Sequence, residues 1–163
     1  MNDSCQLDPS RLGGNLRRAV APEGHESHRV PHLLADGELQ LDPWWGVVQP
    51  AVLHPETPTV GELEVIEHLK AGGLLIDTRR PDYVAESGTI PGAQAIHWAH
   101  ITEHLDLFDE GVAVLFCNGP QCTATPRAIE ALIEAGVTPS QLAYYRGGLL
   151  DWMALGFPVS SPG

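Results

Sequence analysis

Residues 112–136 read VAVLFCNGPQCTATPRAIEALIEAG, and this stretch decides the fold. It begins with a short apolar run, which is typical of a buried strand. It ends with apolar residues at helical spacing and a glycine, which predict a helix and its stop. Between them lies a polar loop that contains Cys117 and Cys122. A buried strand that runs through a short loop into a helix indicates one unit of an α/β domain.

The flanking sequence continues this alternation. The apolar runs LLID (74–77), QAIHWA (94–99) and LAYYRGG (142–148) predict further strands. The segments VGELEVIEHLKAGG (60–73), HITEHLDLF (100–108) and LLDWMALGF (149–157) predict helices, the first with a capping box between Thr59 and Glu62. We therefore predict an α/β domain with three layers, in which helices flank a central parallel sheet of about five strands.

Ligands of such sheets bind beyond the carboxyl ends of the strands. Asp77 and Arg79 follow one predicted strand, Cys117 another, and Arg146 a third. Arg146 is an expected substrate contact, while Asp77 and Arg79 are expected to support the loop. These three strand ends form the candidate site.

The loop after Cys117 is suited to holding an anion. Gly119 allows unusual backbone dihedrals and Pro120 stiffens the turn, so that successive N–H groups can point inward near a helix N-terminus. Pro126 fits the first turn of that helix and leaves Thr123 or Thr125 to cap it. A thiol in this position is expected to have a lowered pKa, which makes Cys117 the predicted nucleophile.

Composition excludes several classes of function. With 21 acidic and 9 basic residues among 163, the formal net charge is −12, which argues against binding to nucleic acid or an anionic membrane. Three cysteines are too few for a disulfide framework. Because neither a signal peptide nor a membrane span is visible, we expect a cytoplasmic protein.

Residues 1–57 are interrupted by proline and read as an irregular extension that packs on the domain of residues 58–163. Trp44 and Trp45 are expected to pack on that domain or on a second subunit, which leaves a homodimer open. His25, His28 and His32 are expected on the surface.

From residue 59 to residue 158 the chain resembles a rhodanese-like domain. The matching stretches are LLIDTRRPDYVAESGTIPGAQAI (74–96), the strand, cysteine loop and helix quoted above, and LAYYRGGLLDWMALGFPV (142–159). They resemble the family's Asp-x-Arg strand end with its Ile-Pro-Gly-Ala turn, its active-site loop, and its Gly-Gly-x-x-x-Trp signature.

The resemblance implies a sulfurtransferase. Cys117 would accept a sulfane sulfur as a persulfide and pass it to a thiol or another nucleophile, with no metal or organic cofactor. Asp77 and Arg79 fall where the family has its supporting Asp and Arg. The implied persulfide-binding loop comprises Asn118, Gly119, Pro120, Gln121, Cys122 and Thr123.

Departures from the family bear on the substrate. Many thiosulfate-using relatives carry basic residues in the loop, whereas Asn118 and Gln121 are neutral here, which disfavours thiosulfate and leaves room for a protein persulfide as donor. The related phosphatases need an arginine six positions after the cysteine, and Thr123 stands there. Thr89 replaces the usual His before Ile-Pro-Gly-Ala and is expected to affect packing.

Alternatives remain open at this stage. The domain could be a catalytically silent binding module, or a dithiol redox protein that uses both cysteines. Cys122 either resolves the persulfide, relays its sulfur or is a small structural residue, and the structural reading is favoured slightly. A zinc site on the cysteines is disfavoured, and His97, His100 and His104 read as a solvated helix face.

Overall fold

The computed structural model describes residues 48–160 and two short strands before them, β1 (His32–Leu33) and β2 (Leu39–Gln40). The chain divides into two compact units, Met1–Val47 and Val48–Gly163. In the first unit β1 pairs antiparallel with β2. Residues 48–57 thus belong with the domain and not, as the sequence analysis had them, with the extension. The expectations for His25, His28, Trp44 and Trp45 and for the His32 side chain lie outside the described residues.

The second unit alternates strands and helices. Its elements in chain order are β3 (Thr59–Val60), α1 (Glu62–Lys70), β4 (Leu74–Asp77), α2 (Pro81–Ser87), β5 (Gln94–Ala95), a 3₁₀ segment (Trp98–Phe108), β6 (Ala113–Phe116), α3 (Ala124–Glu134), a 3₁₀ turn (Pro139–Gln141), β7 (Leu142–Tyr145) and α4 (Gly148–Ala154). The sheet order is β3-β7-β6-β4-β5, and every pairing is parallel. The predicted five-stranded parallel sheet is confirmed, although the sequence analysis did not identify β3.

Both faces of the sheet are buried, which explains why the central strands are apolar throughout. On one face Leu115 packs with Ile101 of the 3₁₀ segment and Leu132 of α3. On the other face Phe116 packs with Val65 of α1 and Trp152 of α4. Consecutive residues of β6 therefore serve opposite layers, as the side-chain period of a strand requires. The result is the predicted three-layer domain.

Two local predictions are corrected. The predicted capping box between Thr59 and Glu62 is wrong, because Thr59 lies in β3 and its hydroxyl bonds the carbonyl of Ala51. The helix instead starts after Gly61, whose N–H donates to the Glu64 carboxylate at 3.0 Å. These contacts depend on the edge-strand pairing of β3, which local spacing does not encode.

The predicted strand QAIHWA is shorter than expected. Only Gln94–Ala95 pairs as β5. Beyond it, the N–H groups of Ile96 and Trp98 donate to the carbonyls of Asp77 and Thr78 at 2.9 and 3.0 Å. The chain thus follows the end of β4 and then turns into the 3₁₀ segment.

None of the helices formed by the described residues has the length and apolar character that crossing a membrane would require.

Candidate active site

Cys117 is the first residue after β6, at the carboxyl edge of the sheet. It is buried, with 1 % of its surface exposed. The loop that follows ends at Thr123, where α3 begins, and the Thr123 side chain makes no capping hydrogen bond. The strand-loop-helix arrangement predicted from the sequence therefore places this thiol inside the domain.

The N-terminus of α4 holds the backbone of the cysteine loop. Leu149 and Leu150 donate their N–H groups to the carbonyls of Cys117 and Asn118, both at 2.9 Å. Gly148 makes this approach possible: its φ is +62°, and a Cβ there would lie 2.5 Å from the Cys117 carbonyl oxygen. The second glycine of the Gly-Gly signature is thus required for the packing of α4 on the loop.

A short segment before β3 holds the loop from another side. Gln49 donates its N–H to the Pro120 carbonyl at 2.8 Å. The Arg146 guanidinium donates two hydrogen bonds to the Gln49 carbonyl, at 3.1 Å from Nε and 2.7 Å from Nη2. The structure therefore engages Arg146, the expected substrate contact, in anchoring Gln49 against the loop.

Asp77 and Arg79 form a buried ion pair beside the loop. The Arg79 Nη2 atom lies 2.7 Å from Asp77 Oδ2, and both side chains are at most 1 % exposed. Thr89 donates to the same carboxylate oxygen at 2.6 Å. Arg79 Nη1 also reaches Asn118 Oδ1 at 3.4 Å. The ion pair is thus surrounded by hydrogen-bond partners, and it contacts the cysteine loop through the Asn118 side chain.

The two loop cysteines are free thiols in contact with each other. The Cys117 thiol donates to the Cys122 backbone carbonyl at 3.7 Å, and the two side chains also hydrogen-bond. Cys122 is half-buried, and its N–H closes a turn onto the Gly119 carbonyl at 3.0 Å. That turn sets the second thiol against the first.

The electrostatics of the two thiols differ from the expectation for Cys117. Burial, together with the hydrogen bond to Cys122, raises the pKa of the Cys117 thiol well above its ordinary value. The hydrogen bond from Cys117 lowers the pKa of Cys122 to about 7, assisted by the N–H groups of Ala124 and Asn118 and by the Arg79 charge. Of the two thiols Cys122 therefore ionises first, and the predicted lowering of the Cys117 pKa is wrong.

Two positions of the cysteine loop, Pro120 and Cys122, supply no N–H group to the sulfurs. The Asn118 N–H reaches Cys122, but Pro120 has no N–H and the Cys122 N–H bonds Gly119. The first turn of α3 contributes instead. The backbone and hydroxyl of Thr125 both hydrogen-bond the Cys117 sulfur and act to lower its pKa.

Thr125 belongs to a buried hydroxyl chain. Its Oγ1 lies 2.9 Å from Thr78 Oγ1, which in turn donates to the Phe116 carbonyl at 2.9 Å. A hydroxyl has one proton, so Thr125 donates either to Thr78 or to a negatively charged Cys117 sulfur. This side chain can therefore follow a change of charge on Cys117.

Tyr144 of β7 carries a buried hydroxyl that has no hydrogen-bond partner among the described residues. Burial raises the pKa of this hydroxyl, and the charges of Cys117 and Cys122 raise it further. The hydroxyl is thus within electrostatic reach of both thiols. An orphaned donor near a site of variable charge calls for an explanation.

The remaining candidates do not join the site. Arg127 stacks its guanidinium on the Trp98 ring, 4.9 Å from the centroid. His97 and His100 have their rings 5.9 Å apart, and His100 bonds the exposed Glu103. Within residues 48–160 the structure contains no group of three His, Cys, Asp or Glu side chains arranged to bind a metal.

Sequence reasoning did not identify three contributors. Thr78 lies just after the predicted strand LLID and was not singled out, Tyr144 read as an ordinary strand residue, and Gln49 was assigned to the extension. Thr125 appeared only as a candidate cap, yet its place in the first turn of α3 is the signal that could have led to it.

Comparisons with known proteins agree with this architecture. No protein-family model matches the sequence. The chain is 28 % identical over 109 residues to the HTH-type transcriptional regulator Rv0324 of Mycobacterium tuberculosis, a match that covers 66 % of this chain and 47 % of the regulator. The chain thus spans about half the length of that relative.

Solved structures share the fold at low identity. A protein of unknown function from Rhodopseudomonas palustris, described as a possible tyrosine phosphatase, has a TM-score of 0.55 at 19 % identity over 66 % of this chain and 88 % of its own. The thiosulfate sulfurtransferase of Pseudomonas aeruginosa has a TM-score of 0.52 at 24 % identity, and the match covers 64 % of this chain and 20 % of that protein. The human single-domain sulfurtransferase TSTD1 has a TM-score of 0.50 at 23 % identity, and the match covers 60 % of this chain and 96 % of that protein.

The sheet order and these structural likenesses show that residues 48–160 have the rhodanese-like α/β fold, with Cys117 at a strand end.

Proposed function

We propose that this domain is a sulfurtransferase in which Cys117 carries a sulfane sulfur as a persulfide. The observation that carries the proposal is the position of the Cys117 sulfur, which lies at the carboxyl end of β6 beside Thr125 in the first turn of α3. The rhodanese-like fold and its sulfurtransferase neighbours support the same chemistry.

The raised pKa of Cys117 is compatible with nucleophilic attack because the two thiols are hydrogen-bonded. Transfer of one proton from Cys117 to the Cys122 thiolate moves the negative charge onto Cys117. The Thr125 hydroxyl then turns toward that charge. Attack on the sulfane sulfur of a donor R–S–SH forms the Cys117 persulfide and releases R–S⁻. This thiolate takes the proton from Cys122 and leaves as R–SH, which returns Cys122 to its thiolate form.

The donor that we propose is a persulfide, such as that of a partner protein, and not a small dianion. Two arginines near the loop already have partners: Arg79 pairs with Asp77, and Arg146 holds Gln49. Loop residues Asn118 and Gln121 are neutral. Because neither of these guanidinium groups is left to clamp the substrate, a dianion such as thiosulfate or a phosphate ester would gain little binding energy in this loop. The acceptor would be a thiol or similar nucleophile, and the proposed location is the cytoplasm.

The test is intact mass after exposure of the full chain to glutathione persulfide. A Cys5→Ser background removes the third cysteine. In the Cys122→Ser variant of this background, the protein should gain the mass of one sulfur atom, located at Cys117 by peptide mapping. The matched Cys117→Ser, Cys122→Ser chain should gain none. If Cys117 gains no sulfur in the folded Cys122→Ser chain and neither sulfur nor a disulfide in the Cys5→Ser parent, at every donor concentration, the proposal fails.

A second candidate is a regulatory module that binds sulfur without turning it over. The likeness to a transcriptional regulator at 28 % identity favours it. The two functions differ in turnover: an enzyme transfers many equivalents of sulfur from donor to added thiol, whereas a sensor module loads once and keeps its sulfur in the presence of a monothiol acceptor.

A further inference from the structure

The second thiol, Cys122, is better exposed and more acidic than the thiol to which the sulfur is assigned. Cys122 is half-buried, whereas Cys117 is 1 % exposed. Its pKa of about 7 makes a large fraction of it thiolate at neutral pH. A thiol whose pKa lies near the ambient pH is the most effective attacking group in exchange with a disulfide or persulfide.

The contact between the two side chains decides which sulfur such a thiolate can attack. The Sγ atom of Cys117 lies 3.7 Å from the Cys122 backbone carbonyl, and the Cys117 side chain is the largest cause of the lowered Cys122 pKa, which places the two thiols side by side. In a Cys117 persulfide this Sγ is the inner sulfur. The turn between Gly119 and Cys122 keeps the second thiol beside it.

We propose that Cys122 is a resolving thiol that attacks Sγ of the Cys117 persulfide, releases hydrosulfide and forms a Cys117–Cys122 disulfide. This inference rests on the proposed function, since Cys117 must first carry the sulfur. It adds a reaction to simple transfer: the domain would reduce a sulfane sulfur to sulfide.

The step balances within the site. The bond between Sγ of Cys117 and the outer sulfur breaks, and its electron pair leaves with that sulfur as HS⁻. The bond between Sγ of Cys117 and Sγ of Cys122 forms. The outer sulfur gains two electrons and the two cysteines together lose two. A dithiol, whether a protein dithiol or dithiothreitol, then reduces the disulfide and resets the site.

One buried donor is a candidate to serve the departing charge. The Tyr144 hydroxyl has no hydrogen-bond partner among the described residues, and its pKa is raised by burial and by the charges of Cys117 and Cys122. Replacement of Tyr144 by phenylalanine therefore tests whether this hydroxyl assists the release of hydrosulfide.

The experiment compares full chains in the Cys5→Ser background, mixed with one equivalent of glutathione persulfide and no other reductant. The parent chain should release hydrosulfide in proportion to the donor consumed, above a protein-free blank. It should end two hydrogens lighter, and peptide mapping should show Cys117 joined to Cys122. Added dithiothreitol should restore its mass and allow a second round.

The Cys122→Ser chain should instead reach the end point one sulfur heavier and release no hydrosulfide after desalting. If the parent chain also keeps its extra sulfur and forms no disulfide, the resolving role is overturned while the proposed function stands. If Cys117 takes up sulfur in neither chain, both fail. The disulfide assay on the parent needs no variant, so misfolding of Cys122→Ser would not leave the question open.

Discussion

The thiol of Cys117 donates a hydrogen bond to the backbone carbonyl of Cys122, five residues further along the chain, at 3.7 Å. Together with the hydrogen bond between the two side chains, it joins the cysteines into one unit. The buried member keeps its proton and the more exposed member loses it. Chemistry at either sulfur is therefore coupled to the other.

Alkylation of Cys122 should follow a pKa of about 7. Because this pKa is lowered, the reactive thiolate is present above pH 7 and is lost as the pH falls below it. The alkylation rate at Cys122 should rise roughly tenfold from about pH 6 to about pH 8, where an ordinary cysteine is still mostly protonated. Iodoacetamide labelling with peptide mapping measures this. The groups that set the pKa are the Cys117 thiol, the N–H groups of Asn118 and Ala124, and Arg79.

The Cys117→Ala variant provides the control for that profile. It removes the largest cause of the lowered Cys122 pKa, so the midpoint should move upward toward the ordinary value of a cysteine. An unchanged midpoint in this variant would contradict the coupling of the two thiols.

Replacement of Gly148 by alanine should destabilise the domain more than the same change at Gly156. Both glycines have positive φ, +62° and +80°, so both alanines incur backbone strain of about 1–2 kcal/mol. Only at Gly148 does the new Cβ meet the Cys117 carbonyl, at 2.5 Å, whereas nothing lies within 4 Å at Gly156. Urea unfolding of the two variants measures the difference. If both variants lose the same free energy of unfolding, the cysteine loop accommodates the new Cβ at position 148 without an energetic cost.

Tyr144 and its neighbour Tyr145 should respond in opposite ways to replacement by phenylalanine. The Tyr144 hydroxyl is buried without a described partner, so Tyr144→Phe should leave the free energy of unfolding unchanged or raise it. Tyr145 donates to Glu62 Oε1 at 2.8 Å, so Tyr145→Phe should lower it by about 1 kcal/mol. Thermal and urea unfolding test both.

The rate of hydrosulfide release is a second measurement on the Tyr144→Phe variant. If the Tyr144 hydroxyl serves the leaving sulfur, Tyr144→Phe should slow hydrosulfide release several-fold in a protein that is no less stable. A Tyr144→Phe chain that is markedly destabilised, or one that releases hydrosulfide at the parent rate, would argue against this role.

Arg146→Met should loosen the contact between Gln49 and the cysteine loop. Loss of two charge-assisted hydrogen bonds to the Gln49 carbonyl should cost about 1–3 kcal/mol and expose the loop more often. Cys122 alkylation at a fixed pH should then be faster. Lys70→Met is the control, because Lys70 pairs with Glu67 on the exposed surface and should cost less than about 1 kcal/mol.

If the alkylation rate is the same in Arg146→Met and in the parent, Gln49 does not restrict access to the loop. A slower rate would instead indicate that Arg146 supplies positive potential to the thiol.

Much of the fold could be predicted because its signals are local. The central strands are continuous apolar runs, and the helices between them end at glycines, so β4, β6, β7 and α3 were located within a few residues. Strand β3 could not be found this way, since its two residues are a strand only through pairing with Tyr144 and Tyr145. The same pairing displaced the predicted helix cap.

The same distinction between local and tertiary signals applies to the candidate site. The sequence by itself determined that a thiol follows a buried strand and precedes a helix, because strand periodicity, Gly119 and Pro120 act locally. It also determined that the loop is neutral. Only the tertiary structure decided which thiol carries charge, because burial of Cys117 and its hydrogen bond to Cys122 depend on how β6, α3 and α4 pack around the loop. Likewise, the role of Arg146 was decided by Gln49, which lies 97 residues away in sequence. Desolvation and hydrogen bonding set a pKa, and neither can be read from the spacing of two cysteines.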